Sequence, residues 1–472
     1  MIGRKLHPNM RNYLKKLPNE APLADAEGIF SPRFVGSKIP PKRNTSLSSA
    51  SLRSRFFAKG DKKFLGLLVV FLVAVLFRFY NFRERVTFGP EQAISLITSG
   101  EMLRGKFSLL GQENVQRATS EGHRIFSGAL FSYSLIPEQI ALKYDPLAIT
   151  VYFCILNLAT GFFIYLIVKK FHSKRIAFLS LIFFLFSLQM IQHSLFIWIL
   201  NYLPAVGIFT YYFLRKFQRD KKPANIFWLG VLAGVGFSLE YLYFPLAFIT
   251  LLWVLYKAPR KVGAFFAFLA GAVIPNLPAV IFDLRNGYYH LLTLAQYFLD
   301  VGWGRGAAML SYYHFLPLWP LFALGLGILA DKVFVKNRHF AVLIITGYIL
   351  LNITPLLDFF DRPGGMPKDL TIGSIKKSAQ LIKSDNPSSF NVAVIHDFDT
   401  RGHILRYPLI FQYKTVPLGV TDYPNANILY VLAPRGYNFA MSSVWEVSSF
   451  GSRKILSMAP VGDSFELFKL TK

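Results

Sequence analysis

Long apolar runs separated by short basic clusters fill the first three quarters of the chain. The first, about Phe64 to Tyr80, has the length of a membrane span and empties into a mixed loop, RFYNFRERVTFGPEQAISLITSGEMLRGKFSLLGQ, from Arg78 to Gln112. Within that loop Phe88-Gly89-Pro90-Glu91-Gln92-Ala93 precedes a helical pattern over Ile94 to Leu103. Further runs near 147–168, 176–193, 196–214, 224–242, 244–257, 262–282, 310–330 and 339–357 predict about nine spans in all. From Asp358 to Lys472 the runs shorten and mix. A helix near Ile372 to Lys383, a strand Asn391 to His396, a helix His403 to Gln412, and strands Asn427 to Leu432 and Phe465 to Leu470 predict a small α/β domain.

The segment Ile125 to Leu142, IFSGALFSYSLIPEQIAL, is apolar but carries Pro137, Glu138 and Gln139, and it reads as an interfacial helix rather than a span. Charge supports that reading. With it kept on the surface, the basic clusters Lys169–Arg175, Arg215–Lys222, Lys257–Lys261 and Lys332–Arg338 all fall on the side of the basic amino terminus, which is the cytoplasmic side by the positive-inside rule. The loop from Arg83 to Asp145 holds seven basic and seven acidic residues, lacks that excess, and belongs outside. The expected organisation is a cytoplasmic tail over 1–63, a transmembrane domain over 64–357 with an external loop at 83–146, and an extracytoplasmic domain over 358–472. The chain is thus expected in the plasma membrane as a multi-pass protein, amino terminus cytoplasmic and carboxyl terminus outside.

Composition agrees with a helical, polytopic membrane protein: 472 residues, 53% hydrophobic and 16% aromatic. The net charge of +26 would suit a nucleic-acid partner, but the basic residues come in loop-sized clusters between apolar runs, and that class is set aside. Residues 1–63 carry fourteen basic against four acidic residues with no apolar period, and read as a disordered tail. The single cysteine, Cys154, lies in a span and excludes an intramolecular disulfide or a cysteine metal site. No cleavable signal pattern precedes the first run.

Glu91 stands where lipid meets water. It can cap a helix that Pro90 opens, or act as a general base beside a lipid-borne substrate. Under the predicted topology Glu240, Asp283 and Arg285 reach the same outer boundary from distant parts of the chain, as does Asn201. Each alone can be a boundary anchor; their convergence with Glu91 points to a site between helices. His193, His290 and His314 share no metal-ligand spacing, and no metal site is assigned. Nucleotide-binding loops are absent from the sequence.

In order and in short motifs these pieces resemble the GT-C superfamily of membrane glycosyltransferases, which includes protein O-mannosyltransferases and aminoarabinose transferases. Phe88 to Ala93 stands where that family carries its acidic external motif, Gly128 to Pro137 is similar to its juxtamembrane helix, and Ile197 to Pro204 resembles its Trp-Asn-Pro stretch. The closest local likeness is Pro278 to Gly287, PAVIFDLRNG. Departures are Pro90-Glu91-Gln92 in place of Asp-Glu or Asp-Gln, and Glu240 where related members often have His. The resemblance implies transfer of a sugar from a polyprenyl-phosphate donor in the membrane lipid to an extracytoplasmic acceptor. Glu91 would be the base, and Arg285, Asp283, Glu240, Arg78 and Arg83 would contact substrate, with Arg285 first and then Arg78 or Arg83 neutralising the donor phosphate. It leaves a divalent metal open. A non-catalytic lipid-carrier translocator or envelope scaffold is the rival class, although such proteins place their ionisable groups near mid-membrane rather than at one boundary.

Overall fold

The structure, a computed structural model, describes residues 62–302, 311–396, 399–451 and 454–472. The basic tail expected over 1–63 thus lies outside the described residues except for Lys62 and Lys63, which begin the first helix.

Helix α1 (Lys62–Phe79) is the first apolar run, followed by the short α2 (Phe82–Arg85) and by α3 (Pro90–Leu103). Helix α3 starts at Pro90 because the N–H that proline lacks has no partner inside the first turn anyway. The Gln92 side chain folds back to accept the Gly89 N–H at 2.8 Å and fixes that start. An antiparallel hairpin follows, β1 (Leu110–Ala118) and β2 (Arg124–Gly128), then α4 (Leu130–Ala141). The expected interfacial helix over 125–142 is therefore half strand: residues 125–128 take their backbone partners from β1, and helix begins only at Leu130.

The apolar runs that follow become α5 (Pro146–Phe171), α6 (Lys174–Leu185), α7 (Leu188–His193), α8 (Leu203–Asp220), α9 (Pro223–Leu239), α10 (Phe244–Lys257), α11 (Lys261–Val273), α12 (Leu277–Arg285), α13 (Tyr289–Gly302), α14 (Trp319–Lys336) and α15 (Arg338–Leu357). Asp145 caps α5 by accepting the Leu147 N–H at 2.9 Å, and Asn337 caps α15 by accepting that of Phe340 at 3.1 Å. By length and composition, among the described residues, Pro146–Phe171, Lys261–Arg285, Tyr312–Lys336 and Arg338–Leu357 can each cross a membrane; Leu65–Phe79, Pro223–Leu239 and Tyr241–Lys257 are shorter apolar helices. The run expected at 176–193 is broken between α6 and α7. The Leu188 N–H freed by the break donates to Asn352 Oδ1 at 2.9 Å, so a neighbouring helix satisfies it where water cannot.

The carboxyl-terminal part contains α16 (Ile372–Ser384), β3 (Phe390–Val394), α17 (His403–Tyr407) with a π turn over Pro408–Gln412, β4 (Ile428–Pro434), α18 (Trp445–Ser448), β5 (Lys454–Val461) and β6 (Phe465–Thr471). Its sheet has the order β3-β4-β6-β5, parallel between β3 and β4 and antiparallel elsewhere. Each element read from the sequence is present. The unread strand of that sheet, β5, is an edge strand exposed along most of its length, so no alternation marks it.

This part packs onto the Glu91 loop. Tyr407 donates to Gln139 Oε1 at 3.2 Å and Gln139 donates in turn to the Leu96 carbonyl at 3.1 Å. Lys376 pairs with Asp145 at 2.6 Å, Gln412 donates to the Tyr144 carbonyl at 2.9 Å, and Tyr407 lies against Phe88. A single buried cluster accordingly runs from Ala74 and Leu96 to Ile404 and Leu467. The charge pattern sets the expected orientation across the membrane. A cysteine placed at Gly365 should react with an impermeant maleimide on intact cells, and one at Gln218 only after permeabilisation. Native Cys154 is buried and gives little background. Labelling of both from one side would overturn the orientation.

Candidate active site

Glu91 occupies the first turn of α3, where the helix dipole favours a negative charge. Its side chain is exposed, and among the described residues its carboxylate has no hydrogen-bond or ion-pair partner. Desolvation by the surrounding protein nonetheless raises its pKa above the ordinary glutamate value. The same turn is tied to the hairpin: Ser95 Oγ lies 2.8 Å from the Glu91 carbonyl and 2.7 Å from Gln112 Oε1.

The far side of the hairpin holds Glu240 and Asp283. Glu240 accepts from Arg117 Nη1 at 2.8 Å and from the Leu242 N–H at 3.1 Å, with His314 Nδ1 at 3.7 Å. Tyr241 donates to the Phe126 carbonyl and lies 2.9 Å from His290 Nε2. Asp283 is buried and accepts the His290 and Leu291 N–H groups at 2.8 and 3.2 Å, which caps α13. Hence Glu240 and Asp283 meet around Tyr241 and the hairpin, while Glu91 reaches that hairpin through Ser95. No hydrogen bond or ion pair among the described residues joins Glu91 itself to Glu240, Asp283 or Arg285.

The three candidate arginines stand apart. Arg285, in the last turn of α12, is exposed with no partner among the described residues. Arg83 is exposed and borders a groove of about 470 Å³ with Asn81, Asp145 and Val151. Arg78 has no solvent exposure: its guanidinium donates to Asn157 Oδ1 at 2.7 Å and to the Ala74 and Leu185 carbonyls at 3.0 and 3.1 Å. It holds α1 to α5 and α6 through these three bonds, while its buried Nε has no hydrogen-bond partner among the described residues.

Sequence reasoning missed a cavity of about 380 Å³ lined by Arg85, Gln92, His193, Tyr312, Phe359 and Arg362 among others. Arg85 donates to the Phe359, Phe77 and Tyr80 carbonyls. Burial draws its pKa down to about 10, so it remains charged at neutral pH. His193 was weighed only as a metal ligand. It stacks flat on Trp198, ring centres 5.2 Å apart, and Asn201 Nδ2 donates to the His193 and Phe196 carbonyls at 2.8 Å each. Trp198 and Asn201 of the Ile197–Pro204 stretch thereby hold His193 and Phe196, which line this cavity. Among the described residues no group of three or more His, Cys, Asp or Glu gathers as metal ligands.

A family model for dolichyl-phosphate-mannose-protein mannosyltransferase matches residues 139–282. No curated protein sequence matches the chain. Among solved structures it is similar to ArnT from Cupriavidus metallidurans in the apo state, at 12% identity and TM-score 0.54, over 86% of this chain and 98% of that one. It is likewise similar to the same protein bound to undecaprenyl phosphate, at 12% identity and TM-score 0.51, over 89% of this chain and 98% of that one. The chain thus shares the fold of these solved structures, helical with a small carboxyl-terminal sheet, and its long apolar helices are those of a multi-pass membrane protein.

Proposed function

We propose that this chain, which has the GT-C membrane-glycosyltransferase fold, moves a sugar from a polyprenyl-phosphate donor to an acceptor hydroxyl outside the membrane. The observation that carries the reading is the unpaired Glu91 carboxylate at the start of α3, in a fold shared with a protein bound to undecaprenyl phosphate. Glu91 takes the proton from the acceptor hydroxyl. The oxygen then attacks the anomeric carbon on the face opposite the phosphate, and the bond to phosphate breaks with its electron pair leaving on the phosphate oxygen. That is an inverting displacement in which charge grows on the leaving group. Arg285 and Arg83 are the candidate guanidinium groups whose forks are free to meet it. Glu240 and Asp283 fix the hairpin and α13 beside Arg285, and so position that arginine.

The test is direct. Membranes containing the protein are incubated with radiolabelled polyprenyl-phosphate sugars, and label is expected to leave the lipid fraction in a manner that depends on Glu91. Retention of all label in lipid, across the common hexose and pentose donors, would reject the transferase reading. The positioning role has its own expected result. Glu240→Gln keeps the shape but removes the charge facing Arg117, and should cost about 2 kcal/mol of stability in detergent. Adding Arg117→Met to it should restore part of that loss, because no unpaired charge then remains. An unchanged melting temperature for Glu240→Gln would instead make the pair a solvated contact.

A further inference from the structure

We infer that the carboxyl-terminal turns of α5 and α8 form a binding site for the headgroup of an acidic membrane phospholipid. The two helices run side by side in the same direction, with contacts that advance together along both: Phe163 lies 5.1 Å from Phe209 by ring centres, and Phe171 lies 6.0 Å from Tyr212. Their ends therefore gather five cations, Lys169 and Lys170 from α5 with Arg215, Lys216 and Arg219 from α8. Aromatic rings hold four of them. The Tyr212 ring carries Lys170 and Lys216, Nζ atoms 4.9 and 5.9 Å from its centre, and the Phe171 ring carries Arg219 and Arg215, Cζ atoms at 4.7 and 5.7 Å. Lys170 also donates to the Tyr212 hydroxyl at 3.2 Å and Arg215 Nη1 to Gln218 Oε1 at 3.3 Å, and neither acceptor is charged. Among the described residues no carboxylate pairs with any of the five. The acids of the basic loops are engaged elsewhere: Asp220 accepts Asn225 Nδ2 at 2.6 Å and the Lys222 N–H at 3.2 Å, and Asp331 pairs with Arg175. Like charges held together repel, and a bound anion removes that cost. The charge alone would suit any anion; the surface beside it selects a lipid. Phe163 stands seven residues, roughly 10 Å, before Lys170 on the same face of α5, and Phe162, Phe163 and Leu166 are exposed. An acyl chain can lie along that wall while its phosphate meets the cations, whereas free phosphate leaves the wall unused. The charge pattern assigns these helix ends to the cytoplasmic leaflet, whose acidic lipids are drawn to basic clusters.

The test titrates the purified full-length protein, stripped of lipid in detergent, with phosphatidylglycerol and separately with phosphatidylcholine, and counts bound lipid by native mass spectrometry. Phosphatidylglycerol should bind saturably, and phosphatidylcholine about tenfold more weakly or worse. Lys170→Gln and Arg219→Gln remove exposed charges held over different rings, and each should weaken phosphatidylglycerol binding about fivefold with the lipid-free melting temperature unchanged. Lys170 also bonds to Tyr212, so if its variant melts lower, Arg219→Gln carries the decision. The control is Arg260→Gln with Lys261→Gln, at another basic loop where both side chains are exposed and, among the described residues, have no ring beneath them; affinity should not change there. Equal losses in the control and at α5 and α8 would mean diffuse attraction to any basic loop and would overturn the site, as would equal binding of the two lipids. Inorganic phosphate is then added as a competitor. If it displaces phosphatidylglycerol at the same concentration as the lipid itself, the site takes a free anion and the lipid assignment falls. Sugar transfer enters none of these readouts, so the result stands apart from the transferase reading.

Discussion

Glu91→Gln is expected to lower turnover by about 10²-fold or more while leaving donor binding and folding intact. The amide keeps the size and hydrogen-bonding reach of the carboxylate but cannot accept the acceptor's proton at neutral pH. Because no described residue pairs with the carboxylate, the substitution breaks no internal contact, and a fall in kcat cannot be ascribed to a disturbed fold. The pH profile provides a second signature. Desolvation raises the Glu91 pKa, and a general base is competent only when deprotonated, so activity should rise with pH along a limb centred above the ordinary glutamate value. In Glu91→Gln that limb should disappear. Glu91→Asp asks whether Pro90 has set the backbone for the longer acid: impaired transfer says it has. Full turnover in Glu91→Gln would leave Glu91 as a favourable charge at a helix start and nothing more.

The fold was legible wherever burial or charge imposed a period. Apolar runs bounded by basic clusters marked most of the long helices between α1 and α15, though not α13, and the carboxyl-terminal strands β3, β4 and β6 were visible because each is largely buried. What escaped notice was structure held by partners distant in sequence. The strand β1, LGQENVQRA, has no apolar alternation; it exists because β2 pairs with it and because Arg117 reaches Glu240, 123 residues away. The break between α6 and α7 follows from Asn352 on α15, which no local window contains.

For the site, the carboxylates were found and their surroundings were not. Glu240 and Asp283 were placed at one boundary by topology alone, but which partner each would meet depended on the hairpin. Asp283 proved to cap α13, a role that its position seven residues before His290 could have suggested only with α13 recognised. Arg78 and Arg85 are seven residues apart in one basic-aromatic stretch and carry the same charge. Each keeps one buried donor without a partner, Arg78 Nε and Arg85 Nη2, but Arg78 is held among carbonyls and Asn157 inside the bundle, whereas Arg85 borders a cavity. Sequence contains no sign of that difference, because it is set by which helix lies opposite.

Gly230→Leu is expected to cost about 3 kcal/mol or more, and to deplete folded protein from the membrane fraction, because α9 and α11 touch backbone to backbone. A Cβ at Gly230 would stand 2.0 Å from the Phe268 carbonyl oxygen, and one at Gly234 would stand 2.3 Å from that of Ala272. From the other helix, a Cβ at Gly271 would meet the Phe227 carbonyl oxygen at 2.2 Å. The obstacles are main-chain atoms, so no side chain can rotate away; one whole helix must move. Gly230-Val-Leu-Ala-Gly234 is the small-xxx-small spacing by which helices approach closely in lipid, where van der Waals contact rather than the hydrophobic effect drives association. Separating these helices also loads the site, since Glu240 follows α9 directly and Asp283 and Arg285 end the α11–α12 rod. A smaller step, Gly234→Ala, should therefore lower sugar transfer before it lowers the amount of folded protein. Gly263→Ala and Gly325→Ala are the controls: both glycines lie inside helices with nothing within 4 Å of the added carbon, and alanine should be neutral or slightly stabilising there. Thermal unfolding in detergent measures all four. Equal melting temperatures for Gly230→Leu and the two controls would show that α9 and α11 do not pack through their glycines.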